Sequence, residues 1–355
     1  PGAHPPHRVG VRAESLFKIN PFELSRRLKA QPQPLQRPLA MATVEKKASP
    51  GKTDPFGTGK ILVTDCFDKF SNEQQDPFLM LHHFGPAPMK SMPQFGMHPH
   101  RGFNEVPYLK QGRWLATDPW NMQAAGEDAV FAEGQLQWGK CGSGIEHGMK
   151  FDATYDGPVQ GFQLWINLRS ENKLDPPEFQ NARSDALPLI DVAPKAKAKL
   201  LVGELQGQTS PVDSQGIHCQ YVDYMLEPGA EVVHPRAAGM STLFVYVYEG
   251  AGSFGSSAVV AQKGEVLRFG ATGDVAIRAD RGSSLMFVLL AGTPLKEPIV
   301  QHGPFVMSTK AQIMQAFEDY QRGRFLMEEC TYKLHTKAGT VVSKRKIEDS
   351  YRRGR

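Results

Sequence analysis

Tyr108-Leu-Lys-Gln-Gly112 followed by Glu133-Gly-Gln-Leu-Gln-Trp138, and Tyr248-Glu-Gly250 followed by Lys263-Gly-Glu-Val-Leu-Arg-Phe269, are two versions of one strand-turn-strand pattern. Gly112 and Gly250 stand 138 positions apart, and Gly134 and Gly264 stand 130 apart. A near-constant offset of that size reads as a duplicated domain. Around these pieces the chain keeps to short β-rich runs between Gly, Pro, Asp and Asn turns: Val130 to Trp138, Val159 to Leu168, Cys219 to Leu226, Thr242 to Tyr248, Glu265 to Phe269 and Leu285 to Ala291. Such strands predict sandwiches or barrels. The expected class is all-β, with two β-barrel (jelly-roll) domains over 53–185 and 186–308. A short helix over 309–326 follows. There Thr309-Lys-Ala-Gln312 has capping-box spacing, Ile313, Met314, Phe317 and Tyr320 share a stripe, and Gly323 supplies the stop.

The composition, 40% hydrophobic and 22% charged over 355 residues, is that of a globular protein with room for two domains. The longest apolar runs, Leu285 to Ala291 and Leu243 to Tyr248, fall far short of the roughly 20 residues a spanning helix needs, so no membrane span is expected. Cys66, Cys141, Cys219 and Cys330 form no CxxC pair, which argues against a disulfide framework and against a zinc site.

The net charge of +4 conceals a segregation. Residues 1–52 hold 10 Lys/Arg against 3 Asp/Glu, and residues 331–355 hold 8 against 2, leaving 23 against 32 for the body, or −9. Nucleic-acid affinity rests on cation contacts to phosphate, so the body is not expected to bind nucleic acid directly. The basic head, 1–52, reads as a disordered extension or an organelle transit segment, with Met41 itself a candidate start. The basic tail, 327–355, carries Lys344-Arg345-Lys346 and Arg352-Arg353, a nuclear-import pattern or a plain solvated end.

Metal chemistry centres on His98-Pro99-His100. Residues two apart on a strand share a face, so both imidazoles enter one space, an arrangement that suits iron, copper, nickel or zinc. Gly142-Ser-Gly144-Ile-Glu-His147 returns a third histidine after a glycine turn. The plain alternative is that these are hydrogen-bonded structural histidines. In the second copy His234 lies 16 residues before Gly250, much as His98 lies 14 before Gly112, but has no second histidine beside it. No metal is expected there. Trp138 and Trp165 read as core filling or pocket wall, and His302 as structural.

Asp76-Pro-Phe-Leu-Met-Leu81, His98-Pro-His-Arg-Gly-Phe103, Gly134-Gln-Leu-Gln-Trp138, Gly144-Ile-Glu-His147 and Gly161-Phe-Gln-Leu-Trp-Ile-Asn-Leu168, then Ser210-Pro211 and Pro298-Ile-Val-Gln-His-Gly-Pro-Phe-Val-Met307, resemble the pirin family over residues 60 to 326. The resemblance implies a bicupin with one divalent metal, iron by family habit, in the first barrel; copper, nickel, manganese and zinc are the other ions such a donor set takes. It implies His98, His100 and His147 as ligands and a glutamate two residues past the third histidine. Here that position is Met149. A further departure is Asn104, where the family often has Glu; Glu105 is displaced by one. By strand parity Met149 faces with His147, and Asn104 with His98 and His100, while Glu146 and Glu105 turn away unless a bulge intervenes. Three neutral imidazoles would leave the ion at +2, and sulfur would shift preference toward copper. His82 and His83 stand where the family has acidic residues, as pocket neighbours or as surface or core histidines.

The activity implied is that of a flavonol (quercetin) 2,3-dioxygenase acting on a small aromatic substrate. Two alternatives are a nuclear co-regulator that binds transcription factors and a cupin relic without metal. A monomer in the cytoplasm or nucleus is expected, or in an organelle if 1–40 is a transit segment.

Overall fold

The computed structural model describes residues 2, 40–54, 62–92, 95–120, 130–150, 152–349 and 351. The reading of the head before residue 40 and of the Arg352-Arg353 pair therefore falls outside the described residues, Gly2 apart. Two barrels share one plan, each closed by a large and a small sheet of mainly antiparallel strands. In the first, nine strands run in the order Lys52–Thr53, Val63–Asp65, Phe78–Pro88, Pro158–Asn167, Phe103–Gln111, Leu136–Lys140, Glu178–Ala182, Glu329–Thr336, Gly339–Lys346; only the Glu178–Ala182 and Glu329–Thr336 pair is parallel. Facing them are Phe95–His100, Ile145–Lys150, Arg113–Thr117 and Val130–Ala132.

The second barrel repeats this with seven strands, Val44–Ala48, Val266–Phe269, Thr242–Glu249, Leu285–Gly292, Cys219–Leu226, Ala196–Val202 and Leu189–Ala193, over four, Glu231–His234, Val275–Ala279, Ala251–Phe254 and Val259–Gln262. The strands read from the sequence lie within a residue or two of their observed bounds. Val130 to Trp138 is the exception, because Gly134, at φ +75, turns the chain there into two strands.

Both ends cross the expected boundaries. Val44–Ala48, inside the supposed head, pairs with Val266–Phe269 of the second barrel. Glu329–Thr336 and Gly339–Lys346, inside the supposed basic tail, form a hairpin that extends the first barrel's large sheet past Glu178–Ala182. Lys344-Arg345-Lys346 is thus strand, with Arg345 4.5 Å above the Tyr332 ring and Lys346 3.8 Å from Glu329.

The two large sheets pack against each other. Phe78, Leu81, Val106, Tyr108, Phe162 and Leu164 from one and Tyr221, Phe244, Tyr246, Tyr248, Val288 and Leu290 from the other form one buried cluster. Within it Asp223 is wholly buried and accepts from Tyr108 Oη (2.8 Å), Tyr248 Oη (2.6 Å) and Lys110 Nζ (2.7 Å), the partnership that a buried carboxylate requires. The helix forms over Lys310–Gln321 with the Thr309 and Gln312 capping box in place. Ile313, Ala316, Phe317 and Tyr320 pack inward, but Met314 is 67% exposed and leaves the stripe read from the sequence. The four cysteines are free and buried, and among the described residues no helix is long and apolar enough to cross a membrane.

Candidate metal centre in the first barrel

His98 and His100 alternate on Phe95–His100, and the adjacent Ile145–Lys150 sets His147 directly across from His98. The alternation brings all three rings inside the barrel, where their ligand atoms lie within 4.8 Å of one another. His98 Nε2 and His147 Nε2 are 3.0 Å apart. His98 Nδ1 lies 2.9 Å from the Gly96 carbonyl and His100 Nδ1 3.3 Å from the Pro304 carbonyl. A carbonyl only accepts, so each Nδ1 carries the proton and each Nε2 presents a lone pair to the barrel. Burial pushes His100 down to about 3, holds His147 well below the usual histidine value and lowers His98, so all three are neutral at pH 7.

Glu105 is also in this space, against the parity expectation. Its Oε2 is 3.1 Å from His147 Nε2 and 3.9 Å from His100 Nε2, and Gln163 Nε2 donates to its Oε1. Parity fails because the HPHRGF stretch is not one strand. Gly102, at φ +88, turns the chain between the small sheet and Phe103–Gln111 of the large sheet, and a Cβ at that position would overlap the Val306 carbonyl. Alternation restarts after the turn. Asn104 consequently faces the other barrel and accepts from Trp138 Nε1 at 3.2 Å, so it is not beside the histidines. Burial pushes the Glu105 carboxyl up to about 8, although the Gln163 bond pulls it down.

Met149 does reach the cavity, as expected, despite a register shift after His147, and it packs with Trp114, Phe131 and Leu109. Glu146 points away, where Tyr351 Oη donates to it. His82 lines the cavity, 3.9 Å from Asp65, whereas His83 lies in the inter-barrel core, its Nδ1 2.9 Å from Tyr246 Oη. Trp165 walls the cavity, its ring 5.2 Å from that of His100; Trp138 is core. His302 is exposed and meets the Phe317 ring edge-on.

The cavity beside the imidazoles measures about 330 Å³, and its walls include Phe84, Phe95, Trp114, Phe131, Met149 and Trp165. Small-molecule sites of this kind are mostly apolar with a few convergent polar groups.

Sequence reading missed what holds the turn. Lys173, wholly buried, donates to the Gly102 carbonyl (2.7 Å), Asn167 Oδ1 (2.6 Å) and the Val306 carbonyl (3.0 Å), and burial pulls it down to about 7. Val306 N–H donates to the Arg101 carbonyl, and Arg101 reaches Asp319 on the helix at 2.8 Å. The GPFVM segment thus braces the histidine turn, which explains in physical terms why two distant motifs occur together. No local signal marks Lys173.

The three histidines form a group that could hold a divalent ion. Ligands about 2.1 Å from a shared ion and at right angles around it lie about 3.0 Å apart, near the His98 to His147 and His147 to Glu105 separations found here.

The family model described as Pirin matches residues 62–166, and that described as the Pirin C-terminal cupin domain matches 221–326. A pirin-like protein of Solanum lycopersicum is 36% identical over 250 residues, 70% of this chain and 81% of its own. Pirin of Homo sapiens is 32% identical over 256 residues, 70% and 82% respectively. Among solved structures, a quercetin 2,3-dioxygenase from Acinetobacter baumannii superposes with a TM-score of 0.70 at 27% identity, covering 81% of this chain and 99% of that one.

Proposed function

The chain belongs to the pirin family, and from that premise we propose that its first barrel binds one divalent metal and cleaves a flavonol-type substrate with O₂. The observation that carries this reading is three imidazole Nε2 atoms gathered at the wall of an apolar cavity of about 330 Å³. His98, His100 and His147 hold the ion, Fe²⁺ in this proposal. Bound there, a divalent ion would act as a Lewis acid toward an enolate oxygen and bring O₂ chemistry within reach of the substrate.

The remaining work falls to the protein. The carbonyls of Gly96 and Pro304 fix the tautomers of His98 and His100, so their lone pairs are set before the ion arrives. Phe95, Trp114, Phe131 and Met149 exclude water and offer flat apolar surface to aromatic rings. Gln137 and Gln163 add amides to the wall that suit hydroxyl and carbonyl groups of a polyphenol. The basic run that the co-regulator alternative draws on, Lys344-Arg345-Lys346, lies in the last strand of the first barrel's large sheet.

The test is direct. Full-length protein loaded anaerobically with Fe²⁺, Cu²⁺, Mn²⁺ or Ni²⁺ is mixed with quercetin in air. Loss of the flavonol absorbance faster than with metal alone, abolished in His98→Ala, is the expected result. No loss with any of the four ions overturns the enzymatic reading.

A further inference from the structure

We propose that His82, with Asp65 behind it and Gln163 and Gln137 in the same row, forms a second subsite of the first-barrel cavity, one that takes a hydrogen bond from a phenolic hydroxyl on a substrate ring remote from the imidazoles. This deepens the flavonol reading above and rests on it.

Alternation along Phe78–Pro88 sends Met80, His82 and Phe84 to the cavity, while Leu81 and His83 enter the packing between the barrels. Strand register then builds a row across the large sheet. Asp65 pairs with His82, His82 with Gln163 and Gln163 with Pro107, and the register Glu105 to Gly139 and Tyr108 to Leu136 sets Gln137 opposite Pro107. His82, Gln163, Pro107 and Gln137 all line the cavity. The next row along the sheet, Met80, Trp165 and Glu105, is the one beside the imidazoles, with the Trp165 ring 5.2 Å from that of His100. Side chains two apart on a strand are separated by roughly 7 Å. His82 therefore stands about the length of a fused two-ring aromatic away from the histidine cluster.

The row is rich in acceptors. Asp65 Oδ1 takes the Phe67 N–H at 3.1 Å, and Oδ2 lies 3.9 Å from His82 Nε2. A carboxylate only accepts, so in the neutral ring the proton belongs on Nε2 and Nδ1 keeps the lone pair. Gln163 commits its amide nitrogen to Glu105, and Gln137 commits its own to Asn181 at 2.7 Å, which leaves two amide oxygens as acceptors. Acceptors spaced along an otherwise apolar wall select hydroxyl groups on a flat aromatic ligand.

The second barrel supplies an independent observation. Its strand Glu231–His234 pairs with Val275–Ala279 in the register Val232 to Ile277 and His234 to Val275, just as Phe95–His100 pairs with Ile145–Lys150 in the register His98 to His147 and His100 to Ile145. The counterparts of His98, His100 and His147 are therefore Val232, His234 and Ile277. The offset between Gly112 and Gly250 carries Glu105 to Leu243 and Pro107 to Val245, and that between Gly134 and Gly264 carries Gln137 to Leu267. Val245 pairs with Leu267 and with Leu289, Leu289 with Val222, and Val222 with Leu200. The row Gln137, Gln163, His82 and Asp65 thus corresponds to Leu267, Leu289, Val222 and Leu200, all wholly buried in one apolar cluster. Row and histidine cluster change together, as expected of two parts that serve one ligand.

The experiment uses full-length protein loaded with Ni²⁺ and kept anaerobic, with binding read from quenching of tryptophan fluorescence, since Trp114 and Trp165 line the cavity. The probes are quercetin and 3-hydroxyflavone, which has no hydroxyl on its remote rings. Expected is that wild type binds quercetin about 10-fold more tightly than 3-hydroxyflavone, and that His82→Val, which installs the second barrel's residue, loses that preference while its nickel content and its affinity for 3-hydroxyflavone stay as in wild type. Should His82→Val misfold, His82→Gln and Asp65→Asn give the same readouts, the first keeping the preference and the second reducing it. A preference that survives in folded His82→Val, or a loss of affinity that is equal for both probes, overturns the inference and leaves the flavonol reading standing. If wild type binds neither probe, both fall.

Discussion

The two barrels are built to one plan and differ in what fills them. Around the first cavity stand His98, His100, His147 and Glu105; at the equivalent places the second has Val232, His234, Ile277 and Leu243, three of them apolar. At these places the second barrel closes around apolar side chains, so the fold does not require the polar cluster. His234 is the lone survivor. Its Nδ1 lies 2.8 Å from Tyr224 Oη, its Nε2 has no partner, and it behaves as a buried structural histidine. One architecture thus carries a buried polar cluster in one copy and a packed apolar core in the other, and the difference rests on a few interior positions.

The largest expected effect tests that contrast through the ion. A ligand that binds only the folded state, present at about 1,000 times its dissociation constant, stabilises by about 4 kcal/mol. Stripping metal with a chelator should therefore lower the melting temperature of wild type by many degrees in differential scanning calorimetry. His234→Val should respond to the chelator as wild type does. His147→Ile should melt at one temperature with or without it. A chelator-induced drop that survives His147→Ile would break the comparison.

Much of the contrast could be read from residue order. The HxH spacing on a strand, the later histidine and the lone His234 each follow from two-residue periodicity, and the offset between Gly112 and Gly250 marks the duplication. Glu105 could not be placed that way, since parity holds only along an unbroken strand and Gly102 ends one sheet and begins another. Lys173 is invisible for a different reason: its three partners lie 6, 71 and 133 residues away along the chain. The hairpin from Glu329 to Lys346 was hidden by charge, although Cys330, Tyr332 and Leu334 already alternate in its first strand.

A smaller effect is expected from pH, and it comes from histidines outside the cavity. Burial pushes both His83, at the barrel interface, and His234, in the second barrel, down to about 3, with nearby lysines adding for His83 and Arg236 for His234. The unfolded chain takes up protons near the ordinary value of about 6.5, and the native state does so only near 3. Each group's contribution is therefore fully present above about 6.5 and is lost progressively as pH falls toward 3. At pH 5 the loss is about 2 kcal/mol per histidine, from a gap of about 1.5 pH units. Denaturant unfolding at pH 7 and pH 5 should show a smaller drop in His234→Gln than in wild type. An equal drop would mean that His234 is already charged in the native state.

The smallest effect, and the sharpest use of the comparison, is to make the first barrel like the second. His98→Val, His147→Ile and Glu105→Leu together replace the polar cluster by residues the sister barrel already accommodates at matching register. Without metal, the wild-type cluster buries three imidazoles and a carboxyl group in one small space, an arrangement that well-packed apolar side chains of similar size replace at little cost or with a gain. Against this stand the loss of the Gln163 bond to Glu105 and the imperfect filling of a cavity of about 330 Å³. The net expectation is a gain of about 1 kcal/mol over chelated wild type, measured by urea unfolding, with metal binding abolished. A triple variant clearly less stable than the chelated protein would show that the cluster supports the first barrel even when empty. The polar residues would then belong to the fold, and the two barrels would differ in more than the site they carry.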